Sequence, residues 1–295
     1  MVGPPARAVP LTHLRKRFWP RLGLTKGDLL RYYGAMAPTL VPHLANRAMV
    51  LKRYPNGVAG PYFFMKRTPK PHPAWLTTCA IRHASGSVIA FPVVDDIAAL
   101  LWVVNLGCID LHPWYARCDD VDRPDYLHFD LDPTPGASFR LVREAAAVVR
   151  NALAGVGMPA FPKTTGSRGV HIYVPIVRGP TQQRVWAFAK RFAHALAALT
   201  PRLLTAEYRV AQRPRRRVLL DYNQNAWGRT LASVYSVRPT PAATVSAPLT
   251  WEELAGGAET GDFRLENVPQ RVQTVGDLWA PVEASRDRFD LTPLL

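Results

Sequence analysis

The sequence has 295 residues, and 48% of them are hydrophobic, which suffices to bury the core of one large domain or of two closely packed modules. No apolar run approaches the length of about 18 residues that predicts a membrane span. Residues 1–10 lack the apolar core of a secretory leader, so we expect a cytoplasmic protein. The three cysteines lack CxxC spacing, which argues against a disulfide framework and a zinc ribbon.

The net charge of +15 is unevenly distributed along the chain. Residues 1–70 contain 13 Lys and Arg against one acidic residue, and residues 202–217 contain six Arg against one Glu. Residues 251–295 are acidic instead, with nine acidic residues against four Arg. A basic field concentrated in this way attracts a polyanion, and nucleic acid is the favoured partner. From charge alone, an acidic membrane surface stays a second interpretation.

The amino-terminal part of the chain combines one long helical pattern with several strand patterns. The apolar spacing is helical from Leu11 to Leu44, with a helix start at Thr25, and Pro38 and Pro42 are expected to break the helix. The elements predicted next are strands at 48–54, 62–66 and 87–93, a Pro-Asn-Gly turn at 55–57, and an Ala/Leu-rich helix that reaches Asn105.

The second half predicts short strands separated by two long helices. Ser138 is the predicted cap of the first of these helices. The elements are strands at 126–132, 170–174 and 217–222, helices at 139–155 and 181–199, and a short helix that starts at Trp251. This order favours an α+β sheet with helices on one face over a doubly wound parallel sheet.

The strand at 126–132 ends in two aspartates, Asp130 and Asp132. Because side chains alternate along a strand, the i, i+2 spacing places both carboxylates on one face. Two carboxylates held this close repel each other, and a divalent cation removes the repulsion through their hard oxygens. A third carboxylate, Asp221, ends the strand at 217–222. Three carboxylates around two divalent ions is the arrangement of two-metal phosphoryl and nucleotidyl transfer.

A glycine-rich turn follows the first long helix and supplies phosphate-binding groups. Gly166 and Gly169 allow a tight turn whose backbone N–H groups can approach phosphate oxygens. Hydroxyls, cations and an imidazole that suit a triphosphate lie in or after this turn: Thr165, Ser167, Arg168, His171, Arg229 and Arg238.

Aromatic and basic residues are interleaved around Phe63 and Phe64, with Lys52 before them and Lys66 and Arg67 directly after. This composition is typical of proteins that hold single strands or exposed bases. Adjacent strand residues face opposite sides, so we expect one phenylalanine in the core and the other to stack on a base.

Five motifs, in this order, closely resemble the polymerase domain of bacterial ligase D, which belongs to the archaeo-eukaryotic primase superfamily. They are LKRYPNG…FFMK at 51–66, NLGCIDLHPW at 105–114, HFDLDP at 128–133, KTTGSRGVH at 163–171, and LDYNQN…YSVRP at 220–239. The resemblance covers about residues 25–280.

The resemblance implies a single primase-polymerase domain over 1–295, with a mainly antiparallel, RRM-like central sheet flanked by helices. This implied domain consists of a basic α/β module at about 1–115 that binds DNA, a catalytic core at about 116–240 and an acidic segment at about 241–295. It implies template-directed or end-extending nucleotidyl transfer of NTP or dNTP, with ribonucleotides preferred. Two Mn²⁺ ions, or Mg²⁺, are the implied cofactors.

The resemblance also implies a role at DNA gaps or double-strand-break ends that carry a 5′-phosphate. No ligase or phosphoesterase domain is seen in the sequence, so we expect that the enzyme either acts alone or recruits partners, which would be Ku and a separate ATP-dependent DNA ligase. The expected location is the cytoplasm, in association with the nucleoid.

Specific residues are carried over by these motifs. The implied metal ligands and catalytic residues are Asp130, Asp132 and Asp221. The implied nucleotide-binding residues are Lys52, Phe63, Phe64, His112, Thr165, Ser167, Arg168, His171, Gln224, Arg229 and Arg238. The implied DNA-binding residues are Lys16, Lys26, Lys66, Arg67, Arg213, Arg215, Arg216 and Arg217, and Lys16 and Lys26 match positions that hold a DNA 5′-phosphate in the family.

Two positions depart from the family pattern. Thr165 stands where the family usually has Ser, which keeps the hydroxyl. Arg229 stands where it usually has Lys, which keeps the charge without the point-charge geometry. The loop from Arg213 to Arg217 is unusually basic.

Two other functions are compatible with parts of the sequence. Residues 130–134 fit the Asp-x-Asp-x-Thr signature of phosphatases in which the first aspartate attacks phosphate. A non-catalytic nucleic-acid-binding module is the third interpretation, although all three carboxylates are present. Within the polymerase hypothesis, end joining and stand-alone gap filling or priming both stay open.

Overall fold

A computed structural model describes residues 7–284 and 288–295. The strands are β1 (Arg17–Trp19), β2 (Leu24–Thr25), β3 (Met49–Arg53), β4 (Phe63–Met65), β5 (Thr78–Arg82), β6 (Val88–Pro92), β7 (Cys108–Pro113), β8 (Ala116–Arg117), β9 (Asp120–Pro124), β10 (Tyr126–Pro133), β11 (Phe161–Thr164), β12 (Val170–Pro175), β13 (Leu204–Thr205) and β14 (Val218–Asp221). The helices are α1 (Lys26–Leu44), α2 (Ile97–Asn105), α3 (Phe139–Ala154), α4 (Gln182–Leu199), α5 (Trp251–Ala255), α6 (Val268–Val275) and α7 (Ala280–Ala284).

A five-stranded sheet forms the centre of the molecule, in the order β11-β12-β10-β14-β13. Every pair in it is antiparallel except β13 and β14, which confirms the predicted α+β class with a mainly antiparallel central sheet. Leu127, Phe129 and Leu131 alternate with polar residues along β10, and Phe129 packs against Phe192 of α4. By alternation, the aspartates of β10 lie on the face away from α4.

A smaller antiparallel sheet, in the order β4-β3-β7, carries the residues of the amino-terminal motifs. Its β7, like the short strands β5, β9 and β11, was not among the predicted strands. An isolated bridge between Ala48 and Val93 joins this sheet to the β5-β6 hairpin.

Helix α1 begins as predicted but extends further. Thr25 caps it, and the side chains of Thr25 and Asp28 form a reciprocal capping box. Two parts of the prediction are wrong: residues 11–24 are not helical, and Pro38 and Pro42 lie inside the helix. Packing of its buried face, rather than propensity, stabilises a helix in a folded protein, so two prolines do not end this one.

The other long helices follow the prediction closely. Helix α3 begins after Ser138, although the Ser138 side chain accepts no capping hydrogen bond. In residues 7–284 and 288–295, no helix is both long and apolar enough to cross a membrane.

An irregular segment, residues 231–247, connects the two sheets. The backbone N–H of Ser233 donates to Leu111 O of β7, and the backbone N–H of Leu111 donates to Ser236 Oγ, both over 2.8–2.9 Å. On the other side, Ser246 Oγ donates to Thr164 O of β11 over 2.7 Å. These bonds fix the smaller sheet opposite the polar face of the central sheet.

A buried charge network holds the carboxyl-terminal segment. The Arg47 guanidinium is 1% exposed and donates to both carboxylate oxygens of Asp125, at 2.8 and 2.7 Å. Arg117 joins this carboxylate to Glu283 of α7. Burial raises the pKa of Asp125, but the charges of Arg47 and Arg117 outweigh it, so this pKa lies below its usual value.

Replacing Arg47 by Met should therefore lower the free energy of unfolding by about 3–5 kcal/mol at pH 7, since it leaves a buried carboxylate without its main partner. Because the pKa of Asp125 is lowered in the folded state, the loss should diminish as the pH falls through the acidic range. Urea denaturation measures the difference. Arg140→Ala, which breaks an exposed i, i+4 pair, should cost about 0.5 kcal/mol or less, and equal small losses in both variants would contradict this account.

Candidate active site

Four polar residues form a row across four adjacent strands of the central sheet. In register, Lys163 of β11 lies opposite His171 of β12, His171 opposite Asp130 of β10, and Asp130 opposite Asp221 of β14. Residues in register on neighbouring strands point to the same face, so the row places an ammonium, an imidazole and two carboxylates side by side. Two of the three predicted metal ligands are thus direct neighbours.

Asp132 lies two residues after Asp130 and faces the same side, as the i, i+2 spacing predicts. Burial and the Asp221 charge raise the pKa of Asp130 to about 7. The charge of Asp130, together with burial, raises the pKa of Asp132 to about 7, against the Arg168 charge that lowers it. The polypeptide therefore holds these carboxylates in an environment that disfavours their ionised forms.

The chemistry of this face fits a divalent cation. Oδ1 of Asp130 is buried and has no hydrogen-bond partner among the described residues, and carboxylate oxygens are the ligands of Mg²⁺ and Mn²⁺. Asp221 is held by two donors, the backbone N–H of Asn223 at 2.7 Å and the Gln224 amide at 2.9 Å. Among the described residues, no three His, Cys, Asp or Glu side chains are already close enough together to coordinate one metal ion.

Gln224, a predicted nucleotide-binding residue, supports Asp221 in this structure. Its amide donates to Oδ2, which leaves this carboxylate oriented toward Asp130 on the neighbouring strand.

His171 is oriented by Lys163, which the sequence analysis did not select. The fully buried Lys163 ammonium has three partners: His171 Nδ1 at 2.8 Å, Ala232 O at 2.9 Å and Ser246 Oγ at 2.6 Å. When the Lys163 ammonium donates to Nδ1, the ring proton lies on Nε2, which faces Asp130 Oδ1 at 3.4 Å. Burial lowers the pKa of Lys163, which favours its neutral form.

The predicted phosphate-binding turn has a different internal arrangement from the one expected. The Thr165 hydroxyl accepts from the backbone N–H groups of Ser167, Arg168 and Gly169, at 3.0–3.2 Å. The expectation that these N–H groups are aimed at phosphate is therefore wrong for this conformation, because a local hydroxyl competes for them. The side chains of Ser167 and Arg168 are exposed, so they can still contact a phosphate.

The two glycines of this turn are required by close approaches. A Cβ on Gly169 would lie 2.1 Å from Leu131 O of β10, and one on Gly166, whose φ is +67°, would lie 2.4 Å from Arg238 Cγ. Any side chain at these positions would push the turn away from the carboxylates and from Arg238.

A second polar cluster, which we call the Asp110 cluster, consists of Asp110, Lys52, His112 and Arg238. Asp110 Oδ2 is 3.1 Å from His112 Nε2 and 3.7 Å from both Lys52 Nζ and Arg238 Nε. Arg238 also donates to Thr165 O over 3.1 Å, which joins this cluster to the turn. Three predicted nucleotide-binding residues are thus brought together around one buried carboxylate.

Both phenylalanines of β4 are exposed, Phe63 by 46% and Phe64 by 55%, so the expectation that one lies in the core is wrong. Strand β4 has only three residues at the edge of its sheet, and neither face is covered. Phe64 meets His112 edge-on with ring centroids 6.2 Å apart, and Phe63 lies against the Arg53 guanidinium. Phe64 is therefore the phenylalanine adjacent to the Asp110 cluster.

Lys16, Lys26 and Arg53 form a basic cluster on the amino-terminal module. Burial is the main cause that lowers the pKa of Lys26, and the positive charges of Lys16 and Arg53 lower it further. Lys26 is only 4% exposed, and its ammonium donates to Thr12 O at 2.8 Å and Asn105 Oδ1 at 2.7 Å. Lys16 is exposed and donates to Asn56. Lys26 thus holds residue 12 against α2 as well as contributing charge.

The remaining predicted DNA contacts lie at the surface. Lys66 and Arg67 are exposed beyond β4. Arg229, which was predicted to bind the nucleotide, is also exposed. In the 213–217 loop, Arg215 and Arg216 are exposed, whereas Arg213 and Arg217 donate to backbone carbonyls of the chain itself, Glu207 and Pro201. Arg213 is also close enough to Asp132 to lower its pKa.

Sequence reasoning missed two residues, Lys163 and Asp110. Lys163 lies in the motif at 163–171 and Asp110 in the motif at 105–114. The Asp-x-His spacing at 110–112 was the available signal for the second, because on a strand it places the two side chains on one face.

Three comparisons relate the chain to known proteins. The family model described as "LigD, primase-polymerase domain" matches residues 25–279. The chain is 34% identical, over 94% of its length, to the multifunctional non-homologous end joining protein LigD of Mycolicibacterium smegmatis, and 29% identical, over 90%, to the bifunctional LigD of Bacillus subtilis. It spans 36% and 42% of these relatives' lengths.

Among solved structures, the polymerase domain of Mycobacterium tuberculosis ligase D in complex with DNA matches with a TM-score of 0.88 and 31% identity. The match covers 94% of this chain and 99% of that one. The protein therefore belongs to the LigD primase-polymerase domain family.

Proposed function

We propose that this chain is a DNA-directed nucleotidyltransferase that extends ends and fills gaps in DNA repair, such as non-homologous end joining. The observation that carries the proposal is the row of Asp130 and Asp221, with Asp132 beside it, at the centre of the sheet of a LigD-family chain. The DNA-bound relative supports DNA as the partner.

In the proposed reaction, the three carboxylates would hold two divalent ions, Mn²⁺ or Mg²⁺. Such ions lower the pKa of a 3′-hydroxyl and neutralise the triphosphate and its leaving oxygen. His171 presents Nε2–H beside Asp130, where it can donate to a phosphate oxygen, and Lys163 maintains that orientation. Arg168, exposed in the turn close to Asp132, adds positive charge at the same place.

The Asp110 cluster is the proposed binding site, or nucleotide seat, of the incoming nucleotide. Lys52 and Arg238 supply cations and His112 supplies an imidazole for the triphosphate, and the exposed ring of Phe64 lies next to them as a stacking surface for a base. Fixed donors of this kind position the nucleotide before the chemical step and need no rearrangement during it.

The finer features stay proposals drawn from the family. They are preference for ribonucleotides, recognition of a 5′-phosphate by Lys16 and Lys26, cooperation with Ku and a separate DNA ligase, and a cytoplasmic location beside nucleoid DNA. Stand-alone gap filling or priming is the alternative pathway. Extension of gapped substrates with and without a 5′-phosphate distinguishes the two pathways, because it shows whether the enzyme depends on the 5′-phosphate.

The phosphatase hypothesis is disfavoured by the topology. Asp130 lies in the middle strand of a mainly antiparallel sheet, whereas the Asp-x-Asp-x-Thr enzymes place this motif near the start of a parallel α/β domain. A lone binding module would have no need for three mutually repelling carboxylates at its centre.

Asp130→Ala should lower manganese-dependent extension of a primer–template by about 100-fold or more, because it removes one of the three proposed metal ligands. Labelled nucleotide incorporation measures the rate, and Asp122→Ala, at an exposed aspartate of β9, is the matched control. Hydrolysis of a phosphomonoester by the wild-type chain, without any extension, would favour the phosphatase instead.

Asp130→Asn should raise the Tm of the metal-free protein by about 2 °C or more at pH 8. Because the folded-state pKa values of Asp130 and Asp132 are raised to about 7, the wild type loses stability as the pH rises from about 4 to about 7, and the loss is complete above pH 7. The gain should therefore be largest at pH 8 and shrink as the pH falls from 7 towards 4. Added Mn²⁺ should raise the Tm of the wild type more than that of the variant, as scanning calorimetry can show. Equal Mn²⁺ shifts would count against a site at Asp130.

Lys26→Ala should weaken binding to gapped DNA with a 5′-phosphate by about 10-fold, and binding to plain single strands much less. Fluorescence anisotropy with the two substrates measures this difference. Lys190→Ala, at an exposed lysine of α4, serves as the charge-matched control. Equal losses on both substrates would leave only general attraction to the DNA backbone.

A further inference from the structure

Asp110 of β7 is a fully buried carboxylate, yet it lies among residues that face the proposed nucleotide seat. Lys52 is its register partner on β3, and His112 follows it on the same face of β7. Arg238 approaches from the segment that connects the two sheets. Three elements from distant parts of the sequence therefore converge on one negative charge.

We propose that Asp110 is a positioning residue, which holds the side chains of Lys52, His112 and Arg238 in the arrangement that receives the nucleotide's triphosphate. The inference rests on the proposed function, since it concerns the same site. Asp110 itself does not touch the substrate in this account and acts only through its three neighbours.

The distances distinguish a positioning role from an ordinary structural ion pair. Lys52 Nζ and Arg238 Nε lie 3.7 Å from Oδ2 of Asp110, which is longer than a hydrogen bond. Arg238 Nε has no hydrogen-bond partner among the described residues. Both cations are thus attracted to Asp110 without using up the N–H donors that a phosphate oxygen needs.

The surroundings of Lys52 explain why its cation needs this support. Its ammonium lies 4.4 Å from the centre of the Tyr62 ring, with the rings of Tyr54 and Phe64 further off. Burial lowers the pKa of Lys52, Asp110 raises it and Arg238 lowers it again. Cys108 of β7 acts on the pKa of Lys52 in the same direction as Asp110.

Asp110 is ionised in spite of its burial. Desolvation raises its pKa, but the charges of His112, Arg238 and Lys52 more than compensate, so the pKa lies below its usual value. Without this carboxylate, cations a few ångströms apart would repel each other in a partly desolvated site. They would separate, or Lys52 would lose its proton.

The test is Asp110→Asn, which keeps the shape of the side chain and removes its charge. Affinity for a fluorescent ATP analogue with Mg²⁺ should fall at least 10-fold at pH 8, while affinity for gapped DNA changes less than 3-fold. The loss should be larger at pH 9 than at pH 7, because the Lys52 ammonium of the variant loses its proton at a lower pH. Asp122→Asn, an exposed aspartate on β9, is the matched control.

A double-mutant cycle with Lys52→Met shows whether Asp110 acts through Lys52. In the Lys52→Met background, Asp110→Asn should cost clearly less nucleotide affinity than in the wild type. Fully additive losses, or an Asp110→Asn variant with unchanged nucleotide affinity, would overturn the proposal. A wild-type chain that binds no nucleotide at all would instead refute the proposed function.

Should Asp110→Asn fail to fold because its cations repel each other, the double variant Asp110→Asn/Lys52→Met should fold again. Circular dichroism and Tm measure this recovery. If both variants are unfolded, Asp110 serves the core alone and the positioning role is wrong.

Discussion

The mutual repulsion of buried carboxylates on the central sheet is the constraint on which this structure depends. Asp130 and Asp221 are paired in register on adjacent strands, and Asp132 extends the same face. Burial and neighbouring charge raise the pKa of both β10 aspartates to about 7. A fold retains such an arrangement when it serves a site, since the stability that it loses there must be regained elsewhere.

The rest of the molecule surrounds these negative charges with positive ones. Lys163 and His171 continue the row on one side, and Arg168 approaches Asp132 from the glycine-rich turn. The segment at 231–247 places the smaller sheet opposite, so that the Asp110 cluster faces the same space. These positive charges suit the metal-bound triphosphate that we propose as the substrate. Ion pairs of Arg47 and Arg117 with Asp125 and with Glu283 of α7 anchor the carboxyl-terminal segment.

Sequence patterns predicted the α+β class, the three long helices and the carboxylate face, because strong periodicity and i, i+2 spacing fix which side chains share a face. They failed where tertiary packing decides. Pro38 and Pro42 lie inside a helix that its buried face supports, and Phe63 and Phe64 are both exposed on an edge strand. The partners of Lys163 come from positions up to 83 residues away, which no local pattern shows.

The most direct test of the central claim is a crystal structure of this chain with Mn²⁺ and a non-hydrolysable nucleoside triphosphate. The account predicts manganese density bound by Asp130, Asp132 and Asp221, with the triphosphate between the ions and the Asp110 cluster. Manganese or triphosphate bound elsewhere, with these three carboxylates left without metal, would contradict it.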